Sequence, residues 1–452
     1  MAEIIPFRGV LYNAAKVGDM FKVMAPPYDV ISSKKQDDLY SRHQNNIVRL
    51  DLGKTNPADT ETDNRYTRAA SEMRKWLSEG LLARDERPAV YYYTQTYTLK
   101  DGTKQTRKGF IALTRLVDFG KGVHPHEKTL SGPKADRLKL MLASDANFSC
   151  IFSLYSEPKP GINALFDRAA KNCSPTIDVK DDDGIENRVW RIDDPALIKA
   201  VADGMLDKTL FIADGHHRYE TALNYRNMMR EKAGKFTGDE PYNYVMMYFS
   251  NMDDEGMTIW PTHRVVHSLK DFSEDAFFAE CGKYFDILEF AYDSSTETGT
   301  RKEFLKRLEG AQKSTFGLHI RRRNVYYILS IKSTSTMDEV FGRTIPDVFK
   351  DLDVTVLHSL VLARILGITQ EAQEKQQNLI YIKSSEEALN AMKDDNNQLV
   401  FLLNPTKIEQ VKAVAEAGFV MPQKSTYFYP KLLTGLTINL LGGKNPEAAA
   451  TV

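Results

Sequence analysis

The stretch "TLFIADGHHRYETALNYR", Thr209–Arg226, carries the strongest structural signal in this sequence. An apolar run ends at Asp214-Gly215, and apolar residues then recur at helical spacing. This pattern predicts a strand that leads directly into a helix. Such a junction has a chemical use, because the first turn of a helix presents unpaired N–H groups and a partial positive charge that attract phosphate.

The side chains at this junction are those of an anion site. Gly215 lets the backbone approach a ligand closely, and Arg218 can hold two phosphate oxygens at once. His216 and His217 add donors that can be cationic near neutral pH. Asp214 either caps the helix or holds a magnesium ion that bridges phosphates. A structural interpretation stays open, since Asp-Gly is a common helix cap and a histidine pair can be purely structural.

Two other chemistries fit the motif less well. Adjacent histidines on a helix point in different directions, and no HExxH pattern follows them, which disfavours a zinc site. The glycine spacing matches neither a P-loop nor a dinucleotide-binding fingerprint.

The composition is that of a folded protein without an overall basic excess, although a local basic patch stays open. Of 452 residues, 42% are apolar, and 60 Lys and Arg balance 61 Asp and Glu. A nucleic-acid-binding protein usually shows a basic excess. Three cysteines without a metal spacing indicate a reducing compartment. With no signal-peptide pattern and no apolar run of about 18 residues, we expect a cytoplasmic protein with no nucleic-acid partner and no membrane span.

Alternating helix and strand patterns predict an α+β (mixed α/β) fold. The length predicts more than one domain. We expect an N-terminal α/β region with a hairpin over 1–115, a phosphate-binding core over 116–270 and a C-terminal α/β domain over 271–452.

Three local patterns stand out in the N-terminal region. Apolar spacing predicts a helix over 63–83 with Trp76 in the core. Alternating aromatic and β-branched residues predict a hairpin that turns at Asp101-Gly102. The short apolar runs on either side of Pro26-Pro27 are interpreted as strands.

A second polar cluster, "HPHEKT", contains His124, His126, Glu127 and Lys128 in a loop. A carboxylate near a phosphate site can accept a hydroxyl proton or hold a metal. The alternative is a solvated charged loop.

Two further clusters lie nearer the C-terminus. "MPQKSTYFYPKL" offers the cation of Lys424 and the hydroxyls of Ser425 and Thr426, which suit a carboxylate or a phosphate. The alternative is a polar turn before a strand. "IWPTHRVV" places polar side chains at the end of a strand, whereas its Trp260 can also be a core residue.

The motif "ADGHHRYETAL" resembles the phosphate-binding signature of the ParB/sulfiredoxin superfamily, Gly-x-His-Arg-x-x-Ala at the start of a helix. Sulfiredoxins have their catalytic cysteine where this chain has His216, so the resemblance does not imply their chemistry. ParB proteins have an acidic residue at that position and bind DNA, and this chain has neither that residue nor a basic excess.

The order of the motifs is more similar to that of the free-serine kinases of this superfamily, which phosphorylate L-serine with ADP or ATP and magnesium. "HPHE" resembles the loop that carries their general base, which implies catalytic roles for Glu127 and its neighbour His126. "DGHHR" resembles their nucleotide-phosphate site. "IWPTHR" and the "KST" turn resemble their acceptor-binding segments, which implies as substrate-binding residues Trp260, Thr262, His263, Lys424, Ser425 and Thr426.

Almost the full length also resembles a bacterial family known as domain of unknown function 1015, whose members carry "APPYDVI" near the start and "KSTYFYPKL" near the end. The resemblances together imply a phosphotransferase that uses ADP or ATP and Mg²⁺ on a small amino-acid-like substrate. The alternative is a non-catalytic nucleotide-binding regulator. Within "PPYDVI", Tyr28 and Asp29 either border the acceptor pocket or only pack.

Overall fold

The computed structural model describes residues 2–127, 131–159, 161–311 and 314–442. Helices and strands alternate along this part of the chain, so the predicted mixed α/β class is confirmed. None of the helices in these ranges is long and apolar enough to cross a membrane.

The strands are numbered in chain order. They are β1 (Ile4–Ile5), β2 (Val10–Tyr12), β3 (Leu82–Arg84), β4 (Val90–Thr98), β5 (Lys104–Arg115), β6 (Val123–His124), β7 (Ala146–Asn147), β8 (Ile151–Tyr155), β9 (Ile177–Lys180), β10 (Glu186–Ile192), β11 (Leu210–Asp214), β12 (Tyr244–Asn251), β13 (Thr258–Trp260), β14 (His263–His267), β15 (Phe285–Ala291), β16 (Thr315–Ile320), β17 (Val325–Ile331), β18 (Leu379–Ile382), β19 (Asn397–Leu403), β20 (Tyr427–Tyr429) and β21 (Asn439–Leu440).

The α-helices are numbered in the same way. They are α1 (Ala14–Val17), α2 (Met20–Val23), α3 (Ser33–Arg42), α4 (Val48–Asp51), α5 (Arg65–Ser78), α6 (Ser131–Ser144), α7 (Gly161–Ala170), α8 (Pro195–Met205), α9 (His216–Ala233), α10 (Glu274–Tyr284), α11 (Glu297–Glu309), α12 (Thr336–Phe341), α13 (Asp347–Lys350), α14 (Asp353–Val356), α15 (Gln370–Glu374), α16 (Ser385–Asn390) and α17 (Ile408–Glu416). A π-helix, Leu357–Ile365, continues α14, and 3₁₀ turns cover Tyr28–Val30, Pro241–Asn243 and Ala391–Lys393.

The described residues group into two compact units. The first contains those of Met1–Pro125, Thr129–Thr258 and Pro430–Val452, and the second contains His126–Lys128 and Ile259–Tyr429, where Lys128 lies outside the described residues. The three-part division at 115/116 and 270/271 stays a prediction. The first of these boundaries falls at the end of β5, which pairs with β12 from Gly109 to Arg115.

A sheet of nine described strands forms the centre of the first unit. Its order is β6-β11-β8-β12-β5-β4-β10-β9, and β1 pairs with β5. Every residue of β12 is buried, which explains its nearly continuous apolar sequence. Stacked rings fill the core on one face, with centroids 5.0 Å apart for Phe110 and Phe166 and for Phe110 and Phe249.

The predicted hairpin is confirmed as β4 and β5, which pair antiparallel on either side of Asp101-Gly102. Gly102 has φ +87°, a left-handed conformation that glycine adopts without strain. The predicted helix over 63–83 is confirmed over Arg65–Ser78 as α5, whereas its predicted end is wrong because Leu82 and Ala83 belong to β3. Trp76 is fully buried in the core.

The expectation of strands on both sides of Pro26-Pro27 is wrong for two of the apolar runs. Met20–Val23 and Val48–Asp51 form the short helices α2 and α4. Local side chains start both turns, because Asp19 accepts a hydrogen bond from the backbone N–H of Phe21 and Asn46 accepts one from that of Val48.

The second unit is built on a sheet in the order β15-β17-β16-β19-β14-β18. Neighbouring strands in this described sheet are all antiparallel. One face packs against α14, the π-helix and α17, and the other packs against α11 and α16. A separate two-stranded ribbon joins β13 and β20.

Candidate functional site

The strand-to-helix junction lies in the first unit as the sequence predicts. β11 ends at Asp214, and α9 begins at His216. Gly215 between them has φ +90°, and no side chain caps the helix there. A Cβ at this position would lie 2.8 Å from Nε of Arg218, so both backbone conformation and space require glycine.

The Asp214 carboxylate is shared between two cations. Its Oδ2 accepts a hydrogen bond of 2.7 Å from Nη2 of Arg218, and its Oδ1 forms an ion pair with Nζ of Lys431. Burial raises the pKa of Asp214, but Lys431 and Arg218 outweigh it and hold the pKa well below its usual value. Asp214 therefore neutralises the cations beside it instead of capping the helix.

The Arg218 side chain points into the first unit and is hydrogen-bonded there. Its Nη1 donates to the carbonyl oxygen of Cys150, while its Nε is buried without a hydrogen-bond partner. Burial lowers the pKa of Arg218, but the nearby groups, chiefly Asp214 with Asp29 and Tyr28, outweigh this effect. The pKa of Arg218 is therefore raised above its usual value. The guanidinium stays charged at any physiological pH and fixes the start of α9.

The segment "PPYDVI" lies near Arg218, and its Tyr28 and Asp29 influence the pKa of that residue. The Arg137 guanidinium lies 4.0 Å from the centre of the Tyr28 ring, and it also forms an ion pair of 2.9 Å with Asp51. Side chains from the N-terminal region thus contribute to the charge around Arg218, within the first unit.

The two histidines differ in exposure. His216 is buried, whereas His217 is partly exposed at the first turn of α9. The small cavity beside Asp214, Arg218 and Lys431 measures about 10 Å³, which is room for roughly one water molecule. An anion at this junction would therefore contact the helix start from the side of His217.

Sequence reasoning missed Lys431 and Arg107. Lys431 lies in "KSTYFYPKL", a motif that the sequence analysis singled out, but the sequence did not reveal its pairing with Asp214. Arg107 is 1% exposed on β5, and Nη2 donates to the carbonyl oxygen of Pro430. Its guanidinium lies 4.6 Å from the centre of the Phe152 ring, and its Nε and Nη1 have no hydrogen-bond partner. The sequence signal for Arg107 was a charged residue at an inward-facing position of a strand with alternating burial.

The second unit joins "HPHE" to the "KST" turn. Oε1 of Glu127 accepts hydrogen bonds from the backbone N–H groups of Ser425, at 3.1 Å, and Thr426, at 3.3 Å. The hydroxyl of Thr426 is 3.5 Å from the same oxygen. In the described part of the chain, Oε2 of Glu127 has no hydrogen-bond partner, so this oxygen can accept a hydrogen bond from a ligand.

His126 supports this arrangement from a buried position. Its Nε2 lies 2.8 Å from Oγ1 of Thr426 and 3.7 Å from Oε1 of Glu127. Its ring meets that of Phe428 edge-on, with centroids 5.8 Å apart. His126 thus orients the two residues that the sequence assigned to base and acceptor binding.

The "KST" turn has an unusual backbone. Lys424 has φ +57°, and its side chain is exposed. Ser425 is buried, and its hydroxyl donates to the carbonyl oxygen of Pro422. The Ser425 hydroxyl therefore stabilises the turn, and Lys424 presents the charge.

The buried Arg264 stabilises the "KST" turn through a hydrogen bond to its backbone. Nη2 of Arg264 donates to the carbonyl oxygen of Lys424 at 3.0 Å, and Nε donates to Nε2 of His358 at 3.1 Å. Burial lowers the pKa of Arg264 to about 10, against the opposing effect of Tyr381 and Glu127. Burial and Arg264 together keep the pKa of His358 well below its usual value, so this histidine is neutral and accepts the bond.

The other predicted acceptor residues have mixed surroundings. The Trp260 ring is partly exposed and stacks on Tyr429, with centroids 3.7 Å apart and planes 12° apart. His263 and Thr262 are buried, and Nδ1 of His263 accepts a hydrogen bond of 3.2 Å from the backbone N–H of Leu403. Of these three side chains, that of Trp260 is the most accessible to a ligand.

Residues of the described ranges contain no cluster of three or more His, Cys, Asp or Glu side chains that could hold a metal ion. Asp214, the predicted magnesium ligand, has both carboxylate oxygens in ion pairs. Its surroundings therefore do not fit a metal ion.

A family model described as "Protein of unknown function (DUF1015)" matches residues 4–355. The chain belongs to this family. No curated protein matches it.

Several solved structures show a distant likeness. A free serine kinase in complex with AMP is 15% identical, with a TM-score of 0.33, over 70% of this chain and 86% of that chain. A conserved hypothetical protein from Pyrococcus furiosus is 14% identical, with a TM-score of 0.34, over 73% and 95%. SbnI with a C-terminal truncation, from Staphylococcus aureus, is 9% identical, with a TM-score of 0.35, over 75% and 92%.

Proposed function

We propose that this protein is a nucleotide-dependent kinase that transfers a phosphoryl group to the hydroxyl of free L-serine or a similar amino or hydroxy acid. The observation that carries the proposal is the contact between Glu127 and the "KST" turn. A candidate base and a candidate carboxylate-binding turn, distant in sequence, form one constellation in the second unit.

The acceptor would be held by its carboxylate and activated at its hydroxyl. The exposed ammonium of Lys424 would pair with the carboxylate. Oε2 of Glu127 would orient the hydroxyl and take its proton, since Oε1 is already held by the turn. Catalysis by such a base is chiefly positional, because the transition state of phosphoryl transfer is loose.

The donor would be held at the start of α9 in the first unit. Backbone N–H groups of the first turn and His217 would bind nucleotide phosphates, while Arg218 and Asp214 fix the turn itself. The acceptor oxygen forms a bond to phosphorus, the bond to the leaving oxygen breaks, and AMP or ADP leaves from ADP or ATP. Asp214 does not fit a metal ion, and the requirement for Mg²⁺ stays a prediction.

The second candidate is a non-catalytic nucleotide-binding regulator. A regulator needs the start of α9 but has no use for a carboxylate base beside an acceptor turn. The contact between Glu127 and Thr426 therefore favours the kinase.

The test is a product screen on the purified full chain with Mg²⁺ and either ADP or ATP. The acceptors are L-serine, L-threonine, homoserine and small hydroxy acids, and mass spectrometry detects phosphorylated products. We expect a product that disappears in Glu127→Gln and persists in Glu231→Gln, an exposed control on α9. Nucleotide binding without product from any acceptor would favour the regulator, and absence of both would reject both functions.

A further inference from the structure

A large basic cleft lies within the N-terminal part of the first unit, in residues to which the proposed function gives no role. Its volume is about 880 Å³, within the range of small-molecule sites. It is lined by residues between Lys16 and Leu81 and shares no lining residue with the cavity beside Asp214. The cleft is therefore a separate candidate site.

One wall of the cleft is the polar face of α5. Arg65, Arg68, Glu72, Lys75 and Glu79 follow one another at intervals of three or four residues from the start of α5 to just past its end. This spacing places them on one side of the helix, and the buried residues of α5, including Trp76, lie on a different side. The remaining wall comes from α1, the end of α3 and the segment that contains α4.

The lining carries an excess of positive charge. Its cations are Lys16, Arg49, Lys54, Arg65, Arg68 and Lys75, and its carboxylates are Glu72 and Glu79. The complete chain has a net charge of −1. The excess is thus a local property of this cleft.

Carboxylates outside the cleft compensate only half of these cations. Lys54, Arg65 and Arg68 form ion pairs with aspartates that do not line the cleft. In the described ranges, Lys16, Arg49 and Lys75 have no carboxylate partner. Glu72 and Glu79 in the lining offset part of this charge, but lining cations still outnumber lining carboxylates by six to two. An excess of cations on a concave surface raises the local concentration of anions.

Protein groups satisfy the Arg49 guanidinium only in part. Its guanidinium lies 4.3 Å from the centre of the Tyr40 ring, and its Nη2 donates to the Tyr40 carbonyl oxygen at 3.1 Å. Its Nε is buried and has no hydrogen-bond partner. A buried unpaired donor on a charged group is costly unless another group accepts from it.

We propose that this cleft binds a small phosphorylated molecule with several negative charges, held by Lys16, Arg49 and Lys75. Phosphate oxygens suit the planar donor pattern of Arg49, and lysines bind phosphate as point charges. The volume accommodates a molecule of nucleotide or sugar-phosphate size. The side-chain amides of Asn45 and Asn56, which also line the cleft, add donors for its uncharged part.

The experiment is isothermal titration of the full chain with inorganic tripolyphosphate at low salt. The test variant is Lys16→Gln/Lys75→Gln, and the control is Lys302→Gln/Lys306→Gln, which removes two exposed charges from α11. We expect the test variant to raise the dissociation constant about tenfold or more, which is the effect of losing two charge-assisted contacts, and the control to leave it unchanged. Equal affinity in the test variant and the wild type would overturn the proposal.

Two further arms define the ligand class. Arg49→Gln should weaken tripolyphosphate binding more than Arg49→Lys, because the lysine keeps the positive charge and loses only the planar arrangement of donors. Citrate, a tricarboxylate, should bind more weakly than tripolyphosphate. Tighter binding of citrate, or of a single-stranded oligonucleotide, would overturn the assignment to a small phosphorylated molecule. Thermal unfolding of each variant confirms that it is folded.

Discussion

Lys431 and Asp214 form an ion pair across 217 positions of the chain. The pair places the residue after Pro430 against the end of β11, where Asp214 also binds Arg218. Both partners are largely buried, with 13% and 14% of their side chains exposed. The C-terminal segment "KSTYFYPKL" therefore helps to set the charge at the start of α9.

The first prediction concerns the stability that Asp214 provides. Asp214→Asn should lower the free energy of unfolding at neutral pH by about 2–4 kcal/mol, because two buried cations lose their carboxylate. Since the folded state lowers the pKa of Asp214, its stabilising effect is present above the usual aspartate value and is lost as the pH falls through the folded value. Urea unfolding should thus show a difference from wild type that shrinks below about pH 4. An equal change in the exposed control Asp207→Asn, or a difference that does not vary with pH, would contradict this account.

The second prediction separates two reasons for glycine at the helix start. Gly215→Ala combines a positive φ with a contact to Arg218, whereas Gly102→Ala has a similar φ and no heavy atom within 4 Å. We expect Gly102→Ala to cost about 1 kcal/mol and Gly215→Ala about 1–3 kcal/mol more. Chemical denaturation measures both, and equal losses would show that the contact with Arg218 is relieved easily.

The third prediction isolates the charge of Glu127. In Glu127→Gln the side-chain oxygen still accepts from Ser425 and Thr426, so the turn and the melting temperature should be preserved. Turnover should fall by about 100-fold or more, the usual effect of removing a general base, while the nucleotide dissociation constant stays the same. A variant that retains full turnover would remove Glu127 from the mechanism.

The fourth prediction concerns nucleotide binding at α9. Arg218→Ala should raise the nucleotide dissociation constant by about tenfold or more, because Arg218 fixes the first turn of α9. The substitution also leaves the carbonyl oxygen of Cys150 without its hydrogen-bond donor. His217→Ala, at a partly exposed position, should weaken binding without a large loss of stability. Calorimetric titration with ADP checks both variants. Unchanged affinity in both would count against the phosphate site.

The fifth prediction concerns Asp353, at the start of α14 in the second unit. Burial raises the pKa of Asp353 to about 7, and a backbone hydrogen bond from Thr315 and the charge of Lys407 only partly oppose it. The folded state therefore binds this proton more tightly than the unfolded chain, so stability falls as the pH rises from about 4 to 7. Asp353→Asn should remove that fall and stabilise the protein above pH 7 by up to about 4 kcal/mol. Unfolding curves at several pH values test this, and a variant no more stable than wild type at pH 8 would refute it.

Local patterns in the sequence predicted the elements that depend on short-range interactions. The alternation on either side of Asp101-Gly102 predicted the β4–β5 hairpin, and the apolar run before Asp214-Gly215 predicted the β11–α9 junction. The apolar runs near Pro26-Pro27 were misjudged, because single side chains such as Asp19 and Asn46 decide whether a short segment turns.

The sequence by itself determined the residue types at both candidate sites, since a resemblance of motifs needs only local order along the chain. Only the tertiary structure decided which of them meet. It paired Glu127 with Ser425 across 298 positions, gave Asp214 the partner Lys431, and turned Arg218 towards the interior. The physical reason is that a strand or a helix turn is set by neighbours a few residues away, whereas contacts between distant segments depend on how whole sheets and helices bury their apolar faces.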